Sequence, residues 1–410
     1  MEDVDQRVAI VGAGYAGMAA AVTLADKGVP VTVFESAAVP GGRARRVSAQ
    51  GNELDNGQHI LVGAYTTLFG LMRRVGVPSD ALLRLPLELR YAKDFAFRAL
   101  WFPAPFGLLS GLFLAKGIPL SERMGAVRFM SAMRKRRFRL ERDVAVTELL
   151  QQHRQNGRIG LYLWRPLCVS ALNTPAEIAS SNIFLAALRD TLHAAPEASD
   201  LLLPRVDLSR LFPEPAAEFV AQHGGEMRLR SPVQDIASLK RDFSEVIVAV
   251  GPHQLKSVLP EAAPEYTYQP IYTCYLQYPA SVKLPFPMLG LADGLVQWVF
   301  DRGALMGEKG RLACVISAQG DHQQLSHDEL AERCHRELAQ ALALPAPLWS
   351  RVIAEKRATI TCAVGLVRPE TEMGGVFLAG DYTDPEYPPT LEAAVRSGVR
   401  AALKASALRS

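Results

Sequence analysis

An α/β fold in two domains, one of them a Rossmann-like unit, is what three features of this sequence predict. The chain opens on a strand–glycine–helix–strand unit that ends on an acid, strands of the same apolar type return near residues 246 and 375, and its 410 residues exceed what one core organises. The opening unit, Arg7 to Glu35, reads RVAIVGAGYAGMAAAVTLADKGVPVTVFE. Val8 to Val11 form the short apolar run of a buried parallel strand. Gly12, Gly14 and Gly17 follow at G-x-G-x-x-G spacing and lead into an alanine-rich helix stopped by Gly28 and Pro30. One glycine serves the tight turn, one lets a pyrophosphate approach the backbone, and one allows close helix–strand packing. The helix N-terminus offers free N–H groups and a positive dipole end. Val31 to Phe34 form the next strand, and Glu35 stands eighteen residues beyond Gly17, where a carboxylate accepts hydrogen bonds from a ribose diol. Strand, glycines, helix, strand and acid in this order predict an adenine dinucleotide site.

Composition sets the outer limits. Apolar residues make up 49% and charged residues 21%, as in a globular, slightly greasy protein. The formal net charge of +3 gives no sign of a nucleic-acid partner. The five cysteines, Cys168, Cys274, Cys314, Cys334 and Cys362, are scattered, which fits reduced thiols in a cytoplasmic protein and excludes the usual zinc patterns. MEDVDQR is acidic and runs straight into the first strand, so no signal peptide is expected.

In the next segment, PGGRARRVSAQGNELDNGQHI, Gly41 and Gly42 let the backbone pass close to something flat or charged, and Arg43 is placed to neutralise a phosphate. Asp55 to His59 form a polar turn, in which His59 reads equally as a satisfied loop histidine and as a catalytic one. Thr66 to Val75 are helical in pattern. Ala99 to Ala115 then run seventeen residues without a charge, with two prolines and two glycines. That is too short to span a bilayer and suits an apolar channel wall or a segment dipping into one leaflet. The five basic residues between Arg134 and Arg139 are a solvated helix face or a contact for an anionic membrane, at ~1 kcal/mol per cation.

Residues 151–192 are mostly helical in pattern, with Trp164 and Phe184 as core or pocket lining and Asp190 as an exposed partner of Arg189. Pro204, Pro213 and Pro215 mark a boundary back toward the first domain. Val246 to Val250 form an apolar strand that ends at a Gly-Pro turn. Tyr268–Tyr278, Gly294–Phe300, Arg311–Ser317 and Arg351–Cys362 read as strands and Asp328–Leu344 as an amphipathic helix, together one wall of a second domain. Gly375 to Asp381 give a last apolar strand closing on Gly380-Asp381, and Pro388 to Ala402 a helix with prolines in its first turn.

GAGYAG, ESAAVPGGRAR and the terminal FLAGDYTDPEYPPTLEAAVRSG together resemble the FAD-dependent amine oxidase and phytoene desaturase superfamily. LDNGQHILVGAYTTL, LWRPLCVSALNTP and AGDYTDPEYPPTLEAAV are similar to its squalene-associated branch, the hydroxysqualene dehydroxylases of hopanoid biosynthesis. The resemblance runs essentially end to end. It implies a two-domain flavoprotein, with a Rossmann-like FAD-binding domain at 1–85, 205–265 and 355–410 and a mixed sheet-plus-helix substrate domain at 86–204 and 266–354. It places Gly12, Gly14, Tyr15, Ala16 and Gly17 at the pyrophosphate of FAD, Glu35 at the adenosine ribose, and Gly42 and Arg43 at phosphate. Val233 would meet the adenine through its backbone, Gly380 and Asp381 the ribityl–pyrophosphate region, and Leu391 the flavin through its N–H. Gly57 would lie at the cofactor, with Gln58 and His59 as the catalytic pair. One departure is Val250-Gly251-Pro252, where the wider superfamily more often has Thr-Pro.

The implied reaction is reductive removal of the hydroxyl of hydroxysqualene to give squalene. It requires a long apolar isoprenoid substrate, a reductant for the flavin and no metal. A protonated allylic hydroxyl leaves as water, and the delocalised cation accepts a hydride, so the protein must supply a dry apolar tunnel and a proton donor. Peripheral contact at the inner face of an anionic membrane fits such a substrate. A carotenoid desaturase would run the same flavin oxidatively. A flavin amine oxidase would need a pocket for a cation, against which the apolar stretch argues.

Overall fold

The computed structural model describes residues 5–49, 51–92, 95–100, 102, 106–192, 196–292, 294–373 and 375–407. Its largest sheet has six strands, in the order Glu226–Arg228, Val31–Phe34, Asp5–Val11, Phe243–Val248, Val376–Leu378 and Glu372–Met373. The first five are parallel and the last is antiparallel. Parallel strands covered on both faces need continuous apolar runs, and Val8, Ala9, Ile10, Ile247 and Val248 are all fully buried.

Helix Tyr15–Ala25 is buried on almost every side, which explains its alanines and the absence of an apolar stripe. It is wedged between the sheet and the C-terminal helix Leu391–Ala407, where a Cβ on Gly398 would come within 2.0 Å of the Ala16 carbonyl oxygen. The C-terminal helix begins at Leu391, so Pro388 and Pro389 lie in the approach to it and not in its first turn. The strand expected to reach Val250 stops at Val248, where the chain leaves the sheet edge toward the glycine loop.

The second sheet has five strands, in the order Met288–Gly290, Trp298–Asp301, Arg311–Ser317, Tyr268–Gln277 and Trp349–Ile360, all antiparallel. Both of its faces are covered, and side chains alternate between two cores. Tyr272, Cys274 and Leu276 pack outward under helix His327–Leu342, while Tyr275, Trp298 and Phe300 face inward against the helices of residues 120–192. The strand expected from Gly294 starts at Trp298; just before it the Val296 N–H donates to Glu337 of that helix at 3.1 Å instead of joining the sheet. Met288–Gly290 is a strand the sequence pattern does not reveal; it is only three residues long.

Asn173 ties the inner helices to this sheet. It closes helix Arg165–Leu172 in a left-handed conformation, and its Nδ2 donates to the Gln269 and Pro270 carbonyls and to Thr359 Oγ1. Its Oδ1 accepts from the Ala318 N–H at 2.8 Å. Asp190 is half-buried, bonded to Arg189 at 2.8 Å and 3.7 Å from Arg396 of the C-terminal helix.

Among the described residues no helix is long and apolar enough to cross a membrane. The uncharged stretch forms helix Phe106–Leu114; Trp101 and residues 103–105 lie outside the described residues. Leu100, Phe102, Phe113, Leu114, Leu120 and Met124 are exposed around it. The basic cluster sits at the far end of helix Leu120–Lys135, about 20 Å from Leu120 at 1.5 Å per residue. Cations beside the apolar patch include exposed Lys116, Arg123, which donates to the Phe113 and Ile118 carbonyls, and Arg158, which donates to Gly117.

Candidate active site

The glycine loop has one open position and two closed ones. Gly12 has φ +105°, and a Cβ there would stand 2.7 Å from the Ala249 carbonyl oxygen; a Cβ on Gly17 would stand 1.9 Å from the Gly12 oxygen. The fold itself forbids side chains at both. At Gly14 the nearest atom to such a Cβ is Gly42 Cα at 3.9 Å, so the space above it is left free by the protein. No side chain caps the helix that starts at Tyr15, whose first-turn N–H groups, those of Tyr15, Ala16 and Gly17, are the donors that an anion would take up. Gly41 and Gly42 pass directly over this end: Gly41 N–H donates to the Ala13 carbonyl at 2.8 Å, and both glycines have positive φ.

Glu35 is buried and oriented before any ligand arrives. Its Oε2 accepts from the Ala13 N–H at 2.7 Å, and its Oε1 from the Ala37 N–H at 2.8 Å and the Ser36 hydroxyl at 3.2 Å. A carboxylate has about four acceptor positions, which leaves room for a ribose hydroxyl. The segment carrying Val233 returns beside it, with Ser231 N–H bonded to the Glu35 carbonyl and Val233 half-buried against the same cluster as Phe34.

Arg43, expected at phosphate, has protein partners as well. Its Nη2 donates to Asp381 Oδ1 at 2.6 Å and its Nη1 to the Ala358 carbonyl at 2.7 Å. Asp381 and Glu355 hold the guanidinium pKa above its ordinary value against the opposing effect of burial. Gly380 precedes Asp381, and its N–H donates to Ser397 Oγ of the C-terminal helix at 2.8 Å. Leu391, half-buried, opens that helix. The next residue, Glu392, is fully buried and accepts from the Thr67 and Leu68 N–H groups, capping helix Thr66–Arg74 from another element.

The turn from Asp55 to His59 connects the two sheets. Asn56 Nδ2 donates to the Arg43 carbonyl at 3.1 Å and to Glu355 at 3.0 Å. Gln58 is buried with its Oε1 accepting from Arg302 at 3.3 Å, so it faces an ion-pair network. His59 is half-buried, with Nδ1 3.0 Å from the Gly57 carbonyl. A carbonyl only accepts, so Nδ1 carries the hydrogen and Nε2 keeps the lone pair in the neutral ring. Burial lowers the His59 pKa, the Gly57 bond opposes this, and Arg43 adds to the lowering. Asp55 moves the other way, pushed up to about 6 by burial, with Arg302 and the Leu208 N–H pulling against the rise.

Several residues of this site carry no local signal in the sequence. Arg302 and Asp55 meet across 247 positions, and Glu392 caps a helix 324 positions away. His253 follows Pro252 and lies within electrostatic reach of Arg43 and Arg357; its Nδ1 has no partner among the described residues. The cleft therefore offers an oriented carboxylate at Glu35, an uncapped helix under an open glycine at Gly14, and the Arg43–Asp381 pair near His59. That set fits a flavin adenine dinucleotide.

The sequence profile of the flavin containing amine oxidoreductases matches residues 15–404. Hydroxysqualene dehydroxylase of Zymomonas mobilis is 27% identical, with 96% of this chain and 97% of that one covered. The enzyme of the same name from Sinorhizobium fredii is 28% identical, with 97% of each covered. A probable zeta-carotene desaturase of Synechococcus elongatus is 24% identical over 97% of this chain and 98% of its own. Among solved structures, a putative protoporphyrinogen oxidase from Exiguobacterium superposes with a TM-score of 0.70 at 16% identity, covering 99% of both chains. A triple mutant of putrescine oxidase gives 0.72 at 18%, again over 99% of both. These two share the fold. The chain belongs to the flavin containing amine oxidoreductase family and is an FAD-dependent oxidoreductase.

Proposed function

We propose that this protein removes the hydroxyl group of hydroxysqualene reductively, giving squalene. The observation that carries this reading is the end-to-end similarity to relatives named hydroxysqualene dehydroxylase, at 27–28% identity over 96–97% of the chain. The zeta-carotene desaturases match at 24–25% over the same length.

Reduced flavin, when bound, supplies the hydride. The chain's own residues hold the adenosine and pyrophosphate through Glu35 and the loop Gly12–Gly17, close the cleft through Arg43 and Asp381, and manage the proton. His59 takes a proton on Nε2 and passes it to the departing hydroxyl, so that C–O breakage releases water and leaves an allylic cation. Hydride addition to that carbon completes squalene, and an external electron donor must restore the two electrons. Apolar side chains facing the sheet keep water from the cation.

We further propose the division into a flavin domain of residues 1–85, 205–265 and 355–410 and a substrate domain of 86–204 and 266–354. The strand Trp349–Ile360 crosses the last boundary, running from the second sheet to the point where Ala358 meets Arg43. Peripheral contact with an anionic membrane, from which a polyisoprenoid would enter, is proposed for the patch around Phe113 and Leu114.

Incubating FAD-loaded protein with hydroxysqualene and, separately, with zeta-carotene, each with and without reductant, tests the reading by product mass spectrometry. Reductant-dependent loss of one oxygen from hydroxysqualene is expected. Reductant-independent loss of two hydrogens from the carotene would establish the desaturase instead.

A further inference from the structure

Arg302 is 2% exposed and spends its donors on two elements at once. Its Nε and Nη2 grip Glu308 at 2.6 and 3.0 Å, while Nη1 reaches Asp55 Oδ2 at 3.2 Å and Gln58 Oε1 at 3.3 Å. The guanidinium lies 5.4 Å over the ring of Tyr275, whose hydroxyl donates to the Asp55 carbonyl at 2.9 Å. Both grips come from the second sheet: Tyr275 lies on strand Tyr268–Gln277, and Arg302 opens the short helix that follows strand Trp298–Asp301. Both fall on the polar turn of the first domain. Asp55 is also fixed from below, its Oδ1 accepting from the Leu208 N–H at 2.9 Å.

The geometry of this clamp is specific. Asp55 and Gln58 lie three positions apart in the turn from Asp55 to His59, and one nitrogen of Arg302 binds both, which fixes the spacing between them. Gly57 lies between them, and its carbonyl is the acceptor for His59 Nδ1 at 3.0 Å. An ordinary buried ion pair needs only a carboxylate, and Glu308 already supplies one with bidentate geometry. The additional reach to a neutral amide on the turn is what an ion pair alone does not require.

We infer that Arg302 is a positioning residue for His59: by bridging Asp55 and Gln58 it sets the direction of the Gly57 carbonyl, and thereby which imidazole nitrogen carries the hydrogen. The second sheet is in this way coupled to the protonation site beside the flavin. The inference takes from the proposed function only that His59 is the proton-handling group, and its test does not depend on any substrate.

The test is NMR of the apoprotein and the FAD-loaded protein carrying 15N-labelled histidine, with His59 assigned by loss of its signals in His59→Gln. The parent is expected to show His59 as the Nδ1–H tautomer, titrating below 6.5. The charge facing His59 is that of Arg43, which stays in every variant. Arg302→Lys keeps a cation for Asp55 and Glu308 but cannot fork to Gln58 as well. Gln58→Met removes the amide acceptor and leaves both ion pairs intact. Each is expected to mix the two tautomers and, because the Gly57 bond is what opposes the effects of burial and Arg43, to move the His59 midpoint further down. Should Arg302→Lys fail to fold, Gln58→Met alone decides. A folded Gln58→Met protein whose His59 tautomer and midpoint match the parent overturns the inference.

Discussion

Arg43 and Asp381 are separated by 338 residues in sequence and 2.6 Å in space, and the same guanidinium reaches on to the Ala358 carbonyl. Three segments thus meet at one side chain: the loop after Glu35, the end of the last parallel strand, and a strand of the second sheet. We propose that the pair works as a clasp across the cofactor cleft and not as two independent ligands.

Arg43→Met and Asp381→Asn are each expected to weaken FAD binding about ten- to hundredfold, since a charged hydrogen bond contributes ~1.5–3 kcal/mol. The double variant should lose little more than either single one, because each single change already breaks the clasp. Titrating apoprotein with FAD and following quenching of flavin fluorescence gives the three constants. Additive losses would mean that the two residues bind the cofactor separately.

The three loop glycines should separate by what they do. Gly12→Ala and Gly17→Ala press a methyl against a backbone oxygen at 2.7 and 1.9 Å and should lower the melting temperature of the apoprotein itself. Gly14→Ala meets only Gly42 Cα at 3.9 Å, so the apoprotein should melt as the parent does and yet bind FAD at least tenfold more weakly. Normal FAD affinity in Gly14→Ala would move the pyrophosphate away from this position.

The exposed patch predicts where a membrane is touched. Phe113 and Leu114 are 58% and 57% exposed, and Arg123 and Arg158 bond to the carbonyls of the same loop. Phe113→Ser with Leu114→Ser should reduce binding to anionic phospholipid vesicles tenfold or more, on the order of 2 kcal/mol of apolar burial. Neutralising Arg134, Lys135 and Arg136 should matter less, since they lie at the other end of their helix. Co-sedimentation at low and high salt measures both, and equal effects would favour the basic cluster as a contact.

The parallel sheet could be read from the chain because each of its main strands is buried on both faces, so its whole run is apolar and local. The glycine loop could be read because spacing, helix and acid fall within thirty residues. The clasp and the clamp could not. Nothing near Arg43 in sequence foretells its bond to Asp381, and nothing near Gln58 foretells its bond to Arg302. Glu392 looks like a surface carboxylate in a helical run, and only the packing of two helices makes it a buried cap. Ion pairs leave no periodicity, whereas strands and helices do.

The strongest consequence of the turn is a narrow pH window for catalysis. His59 has its pKa lowered by burial and by Arg43, so in the proposed role of donor to the leaving hydroxyl its imidazolium would be populated only below the ordinary value of about 6.5 and fall tenfold per unit above its midpoint. Asp55 has its pKa raised to about 6 by burial, and its carboxylate supplies the charged half of Arg302's hold on the turn, so activity that needs the full clamp falls as pH drops through that value. Hydroxysqualene has no titratable group, and kcat/KM should therefore trace a bell whose alkaline limb belongs to His59 and whose acid limb belongs to Asp55. His59→Gln keeps hydrogen bonding but cannot titrate; it should flatten the alkaline limb and slow the reaction by ~10²–10⁴-fold while retaining FAD. Asp55→Asn, uncharged at every pH as the protonated acid is, should remove the acid limb and hold kcat/KM at the lowered level of that limb's acid side. An alkaline limb that survives in His59→Gln at nearly the parental rate would assign the proton to another donor, and a rate that rises with pH would make Nε2 an acceptor during turnover.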